Sequence, residues 1–330
     1  MRVVHTAAEL REAAPGSPAA PGSGAASAGT RAVVMTMGAL HEGHLALVRA
    51  AREMADQVVV TVFVNPLQFN DPKDLESYPR TLEADCALLE PLGVDLVFAP
   101  GGDEVYPGGT PLVTVSAGEI GRVLEGAHRP GHFDGMLTVV AKLLHLTAPD
   151  IALFGQKDAQ QLIAIRTMAR DLNFPVRIEG VPTVRAADGL ALSSRNVFLS
   201  PSERESALAL NRALRAAEEV LASGTSASAP TPARAAGEPA TASGTRASSL
   251  ADALAAGRAI LAAEPGVDVD YFEALDPATA MPLDPTGTGA DYRGEAVIAV
   301  AARVGATRLI DNVVTRIGAG GDGAGRTGSD

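Results

Sequence analysis

Residues 31–44 read RAVVMTMGALHEGH, an apolar run followed by glycines and two histidines. The run predicts a buried strand, and the periodic apolar residues from Leu45 onward predict a helix. Gly38 lets the backbone approach a ligand closely, and the helix start offers unpaired N–H groups to phosphate. Because residues three apart share one helix face, His41 and His44 can contact the same anion. The stretch therefore predicts a strand–turn–helix unit that binds nucleotide phosphate.

The histidine pair has two other interpretations. A zinc-protease site needs His-Glu-x-x-His, whereas this chain has His-Glu-Gly-His, which is the wrong spacing. Two surface histidines without a role are the commoner state of any one pair. The strand-to-helix setting and the glycines favour phosphate.

The first half of the chain repeats this alternation of strands and helices. Continuous apolar strands separated by helices are typical of a parallel sheet covered on both faces. The predicted fold class is therefore α/β, with a doubly wound, Rossmann-like parallel sheet in the N-terminal domain, and ligands are expected beyond the carboxyl ends of its strands. The predicted strands are Ala32–Met35, Val58–Val64, Asp95–Ala99 and Ile151–Phe154, and the predicted helices are Leu45–Met54, Thr81–Leu92, Met136–Leu146 and Gln160–Asp171.

The second half predicts a smaller α+β domain. Asp188-Gly189 is a hairpin signal, and Pro201 opens a long helix whose apolar face includes Leu210, Leu214, Ala217 and Leu221. A further helix at Leu250–Ala263 and strands at Val267–Leu275, Ala296–Ala302 and Arg308–Val314 follow.

These patterns place the two domains at residues 1–183 and 184–317. A capping box at Thr6–Glu9 predicts a first helix from Ala7 to about Ala14. Segments rich in Pro, Gly, Ser and Ala are too small and too polar to repay the cost of ordering. They predict a surface loop at 15–30, a disordered insert at 223–248 and a disordered tail at 318–330.

Charge and cysteine content limit the classes of partner. The 330-residue chain carries 27 Lys and Arg against 39 Asp and Glu, a net charge of −12. Neither nucleic acid nor a membrane surface is therefore an expected partner, and a bound anion must be held by a local positive cluster. Cys86 is the only cysteine, which excludes an intramolecular disulfide and suits a reducing compartment. With no leader sequence or membrane-length apolar segment, the expected location is the cytoplasm.

Two further segments resemble phosphate-binding elements. Lys157 lies between a predicted strand and helix, where a cation opposes the helix dipole unless an anion is bound. Its neighbour Asp158 alone is equally well explained as an N-cap. Ser193, Ser194 and Arg195 offer two hydroxyls and a forked guanidinium to phosphate, although such a run also occurs in solvated loops.

The amides of Asn65 and Gln68 follow the strand Val58–Val64, at the carboxyl edge of the predicted sheet. Side-chain amides recognise hydroxyl and carboxylate groups without adding charge. The local alternative is a simple turn started by Asn65-Pro66.

Taken in order, the motifs resemble those of the pantothenate synthetase family, the pantoate–β-alanine ligases. The chain departs from the usual pattern at Met35, where proline is common, and at Leu192, where methionine is common. The motifs that carry the resemblance are MGALHEGH (37–44), NPLQF (65–69), YPRT (78–81), GHFDG (131–135), GQKD (155–158), SSR (193–195) and TRLIDN (307–312).

The resemblance implies a two-step reaction. Pantoate carboxylate attacks the α-phosphorus of ATP and releases pyrophosphate, and the β-alanine amine then attacks the acyl adenylate to give pantothenate and AMP. ATP as co-substrate, Mg²⁺ and a homodimer are implied as well.

The resemblance also assigns residues, without naming any metal ligand. It gives catalytic roles to His44 as proton donor, His41, Lys157 and Arg195. Substrate binding falls to Gln68 and Gln161, with Asn65, Tyr78, Arg129 and His132 as second-rank candidates. The implied ATP site consists of Met37, Gly38, Ala39, Leu40, His41, Glu42, Gly43, His44, Gly155, Gln156, Lys157, Asp158, Val184, Leu192, Ser193, Ser194 and Arg195.

Three other functions share some of these features. A nucleotidyltransferase of the same fold keeps AMP on its product, so release of free AMP separates the two. A fragment of an aminoacyl-tRNA synthetase needs a basic RNA-binding surface, which the net charge disfavours. A non-catalytic nucleotide-binding protein has little use for Lys157 together with the histidine pair.

Overall fold

The computed structural model describes residues 1–13, 29–69, 72–226, 249–287 and 291–318. It divides into two compact units, one of Met1–Phe198 with Ala278–Ala280 and the other of Leu199–Pro277 with Met281–Asp330. The first unit thus runs beyond residue 183, and the division into functional domains at 183 and 184 stays a prediction. Most residues of the three predicted low-complexity segments lie outside the described ranges.

In the described part of the first unit, six parallel strands form one sheet in the order β1-β4-β3-β2-β5-β6. This confirms the predicted doubly wound class. The two outer strands were missed, because β1 is short and largely exposed and β6 lacks an apolar run. The strands are β1 (Arg2–Val4), β2 (Arg31–Thr36), β3 (Gln57–Val62), β4 (Leu96–Phe98), β5 (Ile151–Gly155) and β6 (Arg177–Val181).

Helices cover both faces of this sheet. Side chains alternate along a strand, so in β2 Val33 packs into one core with α7 and α8, while Ala32 and Val34 pack into the other with α2. The helices of this unit are α1 (Ala7–Ala13), α2 (Glu42–Met54), α3 (Pro72–Ser77), α4 (Leu82–Leu89), α5 (Gly102–Val105), α6 (Glu125–His128), α7 (His132–Thr147) and α8 (Ala159–Asp171).

The strand order reverses at β2, which pairs with β3 on one side and with β5 on the other. Connections leave in opposite directions at such a switch point and open a crevice at the carboxyl ends of the strands. The segments that follow β2 and β5 carry the histidine pair and Lys157. The topology therefore brings two of the predicted phosphate elements to one crevice.

The second unit is α+β, as predicted. The apolar face of α9 is buried at every predicted position. This helix continues to Ser226 and so includes the first residues of the predicted insert, where the Ser223 hydroxyl donates to the carbonyl of Val220 at 2.8 Å. The elements are α9 (Pro201–Ser226), α10 (Leu250–Ala262) and an antiparallel sheet of β7 (Val267–Leu275), β8 (Gly294–Val304) and β9 (Thr307–Ile317). In the described ranges, no helix has the length and apolarity to cross a membrane.

Candidate active site

The turn between β2 and α2 is held by a buried carboxylate. Gly38 and Ala39 have φ of 86° and 50°, a left-handed conformation that glycine adopts easily. Asp85, which is 1% exposed, accepts from the backbone N–H of Ala39 at 3.1 Å and of Leu40 at 2.8 Å. The hydroxyl of Thr81 also donates to this carboxylate, at 3.2 Å. Asp85 thus fixes the path of the turn.

The two histidines form the amino-terminal cap of α2. Nδ1 of His41 accepts from the Gly43 N–H at 3.1 Å, and Nδ1 of His44 accepts from the His41 N–H at 3.2 Å. A backbone N–H can only donate, so both Nδ1 atoms are unprotonated and each neutral ring carries its hydrogen on Nε2. The ring centroids lie 4.1 Å apart. The pair therefore offers two neighbouring Nε2–H donors.

Both rings are held neutral. Burial, together with the neighbouring His41, lowers the pKa of His44 to about 3. The pKa of His41 is lowered by burial and then by the charge of Lys157. Without a bound anion, His44 therefore donates a hydrogen bond at neutral pH and does not act as an imidazolium acid.

The turn after β5 places a cation beside the histidines. Residues Gln156–Asp158 form a 3₁₀ turn before α8, and Lys157 Nζ lies 3.9 Å from Asp158 Oδ2. Although Asp158 stands at the N-cap position of α8, its side chain makes no capping hydrogen bond, so the N-cap interpretation does not explain it. The Lys157 and Asp158 charges act on both histidines. The turn at Gln156–Asp158 therefore lies within electrostatic reach of the histidine pair.

Tyr78 links the third element to the other two. Leu192 N–H donates to Val184 carbonyl oxygen at 3.0 Å, which closes the predicted hairpin, and Ser193 and Ser194 follow it. Burial raises the pKa of Tyr78, while the charge of Arg195 and a side-chain hydrogen bond to Ser194 lower it. Asp158 also acts on Tyr78, so the hairpin lies within electrostatic reach of the Lys157 turn.

The loop after β3 presents Gln68. Its side chain is 9% exposed, and its Oε1 accepts from Nδ2 of Asn65 at 2.8 Å. Asn65 is 1% exposed, and its amide is fully used inside the protein, because it also bonds Leu67, Gly135 and Tyr106. The structure thus makes Asn65 a support for Gln68.

Arg129 and His132 hold the backbone of the same loop. His132 Nδ1 donates to the carbonyl oxygen of Gln68 at 3.0 Å, and Arg129 donates to the same oxygen at 3.3 Å. Arg129 also donates to His132 Nε2 at 3.1 Å. Burial, with Arg129 second, lowers the pKa of His132 to about 4. Both residues therefore fix the backbone of Gln68.

Gln160 is a site-neighbouring residue that the sequence did not indicate. It is 5% exposed, accepts from the Glu125 N–H at 3.0 Å, and donates to the carbonyl oxygens of Ile120 and Val123 at 2.8 and 2.9 Å. It joins the start of α8 to the 118–125 segment, beside the predicted substrate residue Gln161.

The family of the chain is decided by a match along most of its length. The model of the pantoate–β-alanine ligase family matches residues 2–314. The chain belongs to this family. Family membership makes it a ligase of pantothenate biosynthesis. This assignment replaces the three other functions set out above.

Relatives and solved structures of this ligase family agree with that match. A pantothenate synthetase of Streptomyces coelicolor is 62% identical over 309 residues, covering 86% of this chain and 90% of the relative. Pantothenate synthetase from Thermus thermophilus has a TM-score of 0.79 at 46% identity, covering 95% of this chain and 99% of that one. Pantoate–β-alanine ligase from Francisella tularensis, complexed with β-γ ATP and β-alanine, has a TM-score of 0.68 at 30% identity, covering 95% and 97%.

Two kinds of predicted site residue do not belong to the polar group formed by the histidine pair and Lys157. The carboxylate of Glu42 is exposed and pairs with Arg49. Met37, Val184 and Leu192 are partly buried apolar side chains, able to provide lining but no hydrogen bonds.

The neutral histidines give the ligase a pH-dependent stability. The folded pKa of His132 is about 4 against an ordinary 6.5, so the unfolded chain takes up a proton first as the pH falls. The free energy of unfolding therefore falls as the pH is lowered from 6.5 to about 4, by at most about 1.4 kcal/mol per pH unit for one such histidine. Denaturant unfolding at several pH values should show this slope. His132→Asn should reduce the slope of unfolding free energy against pH, whereas the control His145→Asn, at an exposed position, should not. Equal slopes in the parent and both variants would contradict the role given to His132.

Proposed function

We propose that the chain condenses pantoate with β-alanine, using ATP, through a pantoyl adenylate, and releases AMP and pyrophosphate. The observation that carries the proposal is the convergence of the two Nε2–H donors and Lys157 at the switch point of the sheet. The Francisella relative, whose structure is complexed with β-γ ATP and β-alanine, supports these substrates.

ATP would lie across the ends of β2 and β5. The left-handed turn at Gly38–Leu40 allows close approach of the nucleotide, and α2 contributes the positive end of its dipole. His41, His44 and Lys157 would contact the phosphates, where negative charge grows on oxygen as the carboxylate attacks. Donors already aligned on that charge stabilise the transition state most.

Pantoate would be held beside the α-phosphorus by Gln68 and Gln161. The outward atom of Gln68 is its amide nitrogen, a donor that suits a carboxylate without neutralising it. Holding the nucleophile in line supplies a large share of the rate. Arg195 and Ser194, which both interact with Tyr78, would complete the phosphate contacts.

The residues present fit Mg²⁺ carried by the nucleotide. Mg²⁺ usually keeps several waters and takes one or two carboxylates plus substrate phosphates, and the half-exposed carboxylate of Asp158 beside Lys157 is suited to that arrangement. When bound, Mg²⁺ would neutralise phosphate charge. A homodimer and a cytoplasmic location stay predictions.

A product assay tests the reaction and its order. With ATP, Mg²⁺, pantoate and β-alanine, the protein should form pantothenate and AMP, and omission of any one substrate should abolish the product. With β-alanine left out, labelled pyrophosphate should still exchange into ATP, because the first step is reversible at the site. ADP as product, or exchange that requires β-alanine, would refute the adenylate pathway.

A further inference from the structure

The side chain of Gln68 is held by a chain of buried hydrogen bonds that begins at Tyr106. The phenol of Tyr106 donates to Oδ1 of Asn65 at 2.7 Å, and Nδ2 of Asn65 donates to Oε1 of Gln68 at 2.8 Å. Tyr106 is 5% exposed and the other two side chains are almost as buried or more so. Because water does not compete at this depth, each missing bond leaves a buried polar atom unpaired.

The orientation of both amides can be assigned from the backbone groups around Asn65. The Leu67 N–H can only donate and faces Oδ1 at 3.3 Å, whereas the Gly135 carbonyl can only accept and faces Nδ2 at 3.1 Å. A side chain at position 135 would overlap the Leu67 carbonyl, so glycine is needed for this approach. Since Nδ2 can only donate, the end of Gln68 that faces it is the oxygen. The Gln68 nitrogen, with two hydrogens, therefore lies at the other end.

The Tyr106 ring is fixed by its own packing. The Phe63 ring centroid lies 6.1 Å from that of Tyr106, and Lys142 Nζ lies 5.8 Å from the Tyr106 centroid. Burial raises the pKa of Tyr106, so the phenol stays protonated at neutral pH. Its hydroxyl is therefore a permanent donor to Asn65.

We propose that Tyr106 is a positioning residue for pantoate binding: by fixing Asn65, it keeps the Gln68 nitrogen turned toward the substrate, where its N–H groups can donate to a carboxylate. The inference rests on the proposed place of Gln68 at the pantoate carboxylate. A flipped Gln68 amide would present oxygen to the carboxylate and oppose binding. Tyr106 acts through two other side chains and touches no substrate itself.

Tyr106→Phe tests the proposal by removing one oxygen atom. Oδ1 of Asn65 would keep only the longer bond from Leu67, and KM for pantoate should rise about tenfold, the loss typical of one buried hydrogen bond. KM for ATP should not change. Tyr292→Phe is the matched control, because its hydroxyl donates to the Glu295 carbonyl oxygen in the second unit; its kinetics should equal those of the parent protein.

A double-mutant cycle separates positioning from general loosening. In an Asn65→Ala background, Tyr106→Phe should raise KM for pantoate no further, because the acceptor is already gone. An unchanged KM for pantoate, an equal rise in KM for ATP, or additive effects would each overturn the proposal. If Tyr106→Phe fails to fold, Asn65→Ala decides alone: a rise confined to pantoate supports the proposal, and an equal rise for ATP overturns it. If the parent protein makes no pantothenate, the proposed function is refuted. The variant results bear only on the role of Tyr106.

Discussion

His44→Ala should lower kcat by on the order of a hundredfold or more, the typical cost of losing one preorganised donor to transition-state charge. Its Nε2–H lies beside that of His41 at the switch point of the sheet, and its ring stays neutral because the pKa is near 3. Steady-state kinetics with all three substrates measure the loss.

The control for this variant is His145→Ala, since His145 is exposed near the end of α7. It should leave kcat unchanged. The His44→Ala protein also loses one cap bond of α2, so its melting temperature must be measured beside the kinetics. Near-normal turnover in a folded His44→Ala protein would remove His44 from the reaction.

Lys157→Met should also lower kcat on the order of a hundredfold, because a fixed positive charge at the developing phosphate charge is lost. The same change should raise the pKa of His41 and His44, since the Lys157 charge lowers both. The rise should be partial, because burial is the larger cause at each ring. Proton NMR titration of the histidines measures the shift.

Lys73→Met provides the matched control, as Lys73 is exposed on α3. Neither turnover nor the histidine titration should change in it. If Lys157→Met lost turnover while the pKa values of His41 and His44 stayed fixed, Lys157 would not lie where the structure places it.

The central strands were predictable because each is a continuous apolar run. β1 and β6 were not, since an edge strand is only partly buried and its residues need not be apolar. Helix starts were also displaced. The sequence predicted Leu45 and Met136, whereas α2 begins at Glu42 and α7 at His132. A histidine N-cap is outside the usual Ser, Thr, Asp and Asn preference, so the pattern gave no signal for the first of these.

The supporting residues of the site could not be found in the same way. Asp85 meets the Gly38 turn across 46 residues of sequence, and Tyr106 meets Asn65 across 41. Such pairs depend on which helices and loops the sheet order brings together, and local periodicity carries no information about that. The motifs at 37–44, 65–69 and 155–158 could be placed from the sequence because they lie at strand ends, where a parallel sheet gathers them.

The cap of α2 offers a way to observe the state of the ligand site from the main chain. The amide hydrogens of His41 and Gly43 are bound by imidazole nitrogens, so they are protected from solvent exchange only while those nitrogens lack a proton. A nucleotide whose charge drew a proton onto Nδ1 would release them. Two backbone exchange rates would then report whether Nδ1 of each ring gains a proton during the catalytic cycle.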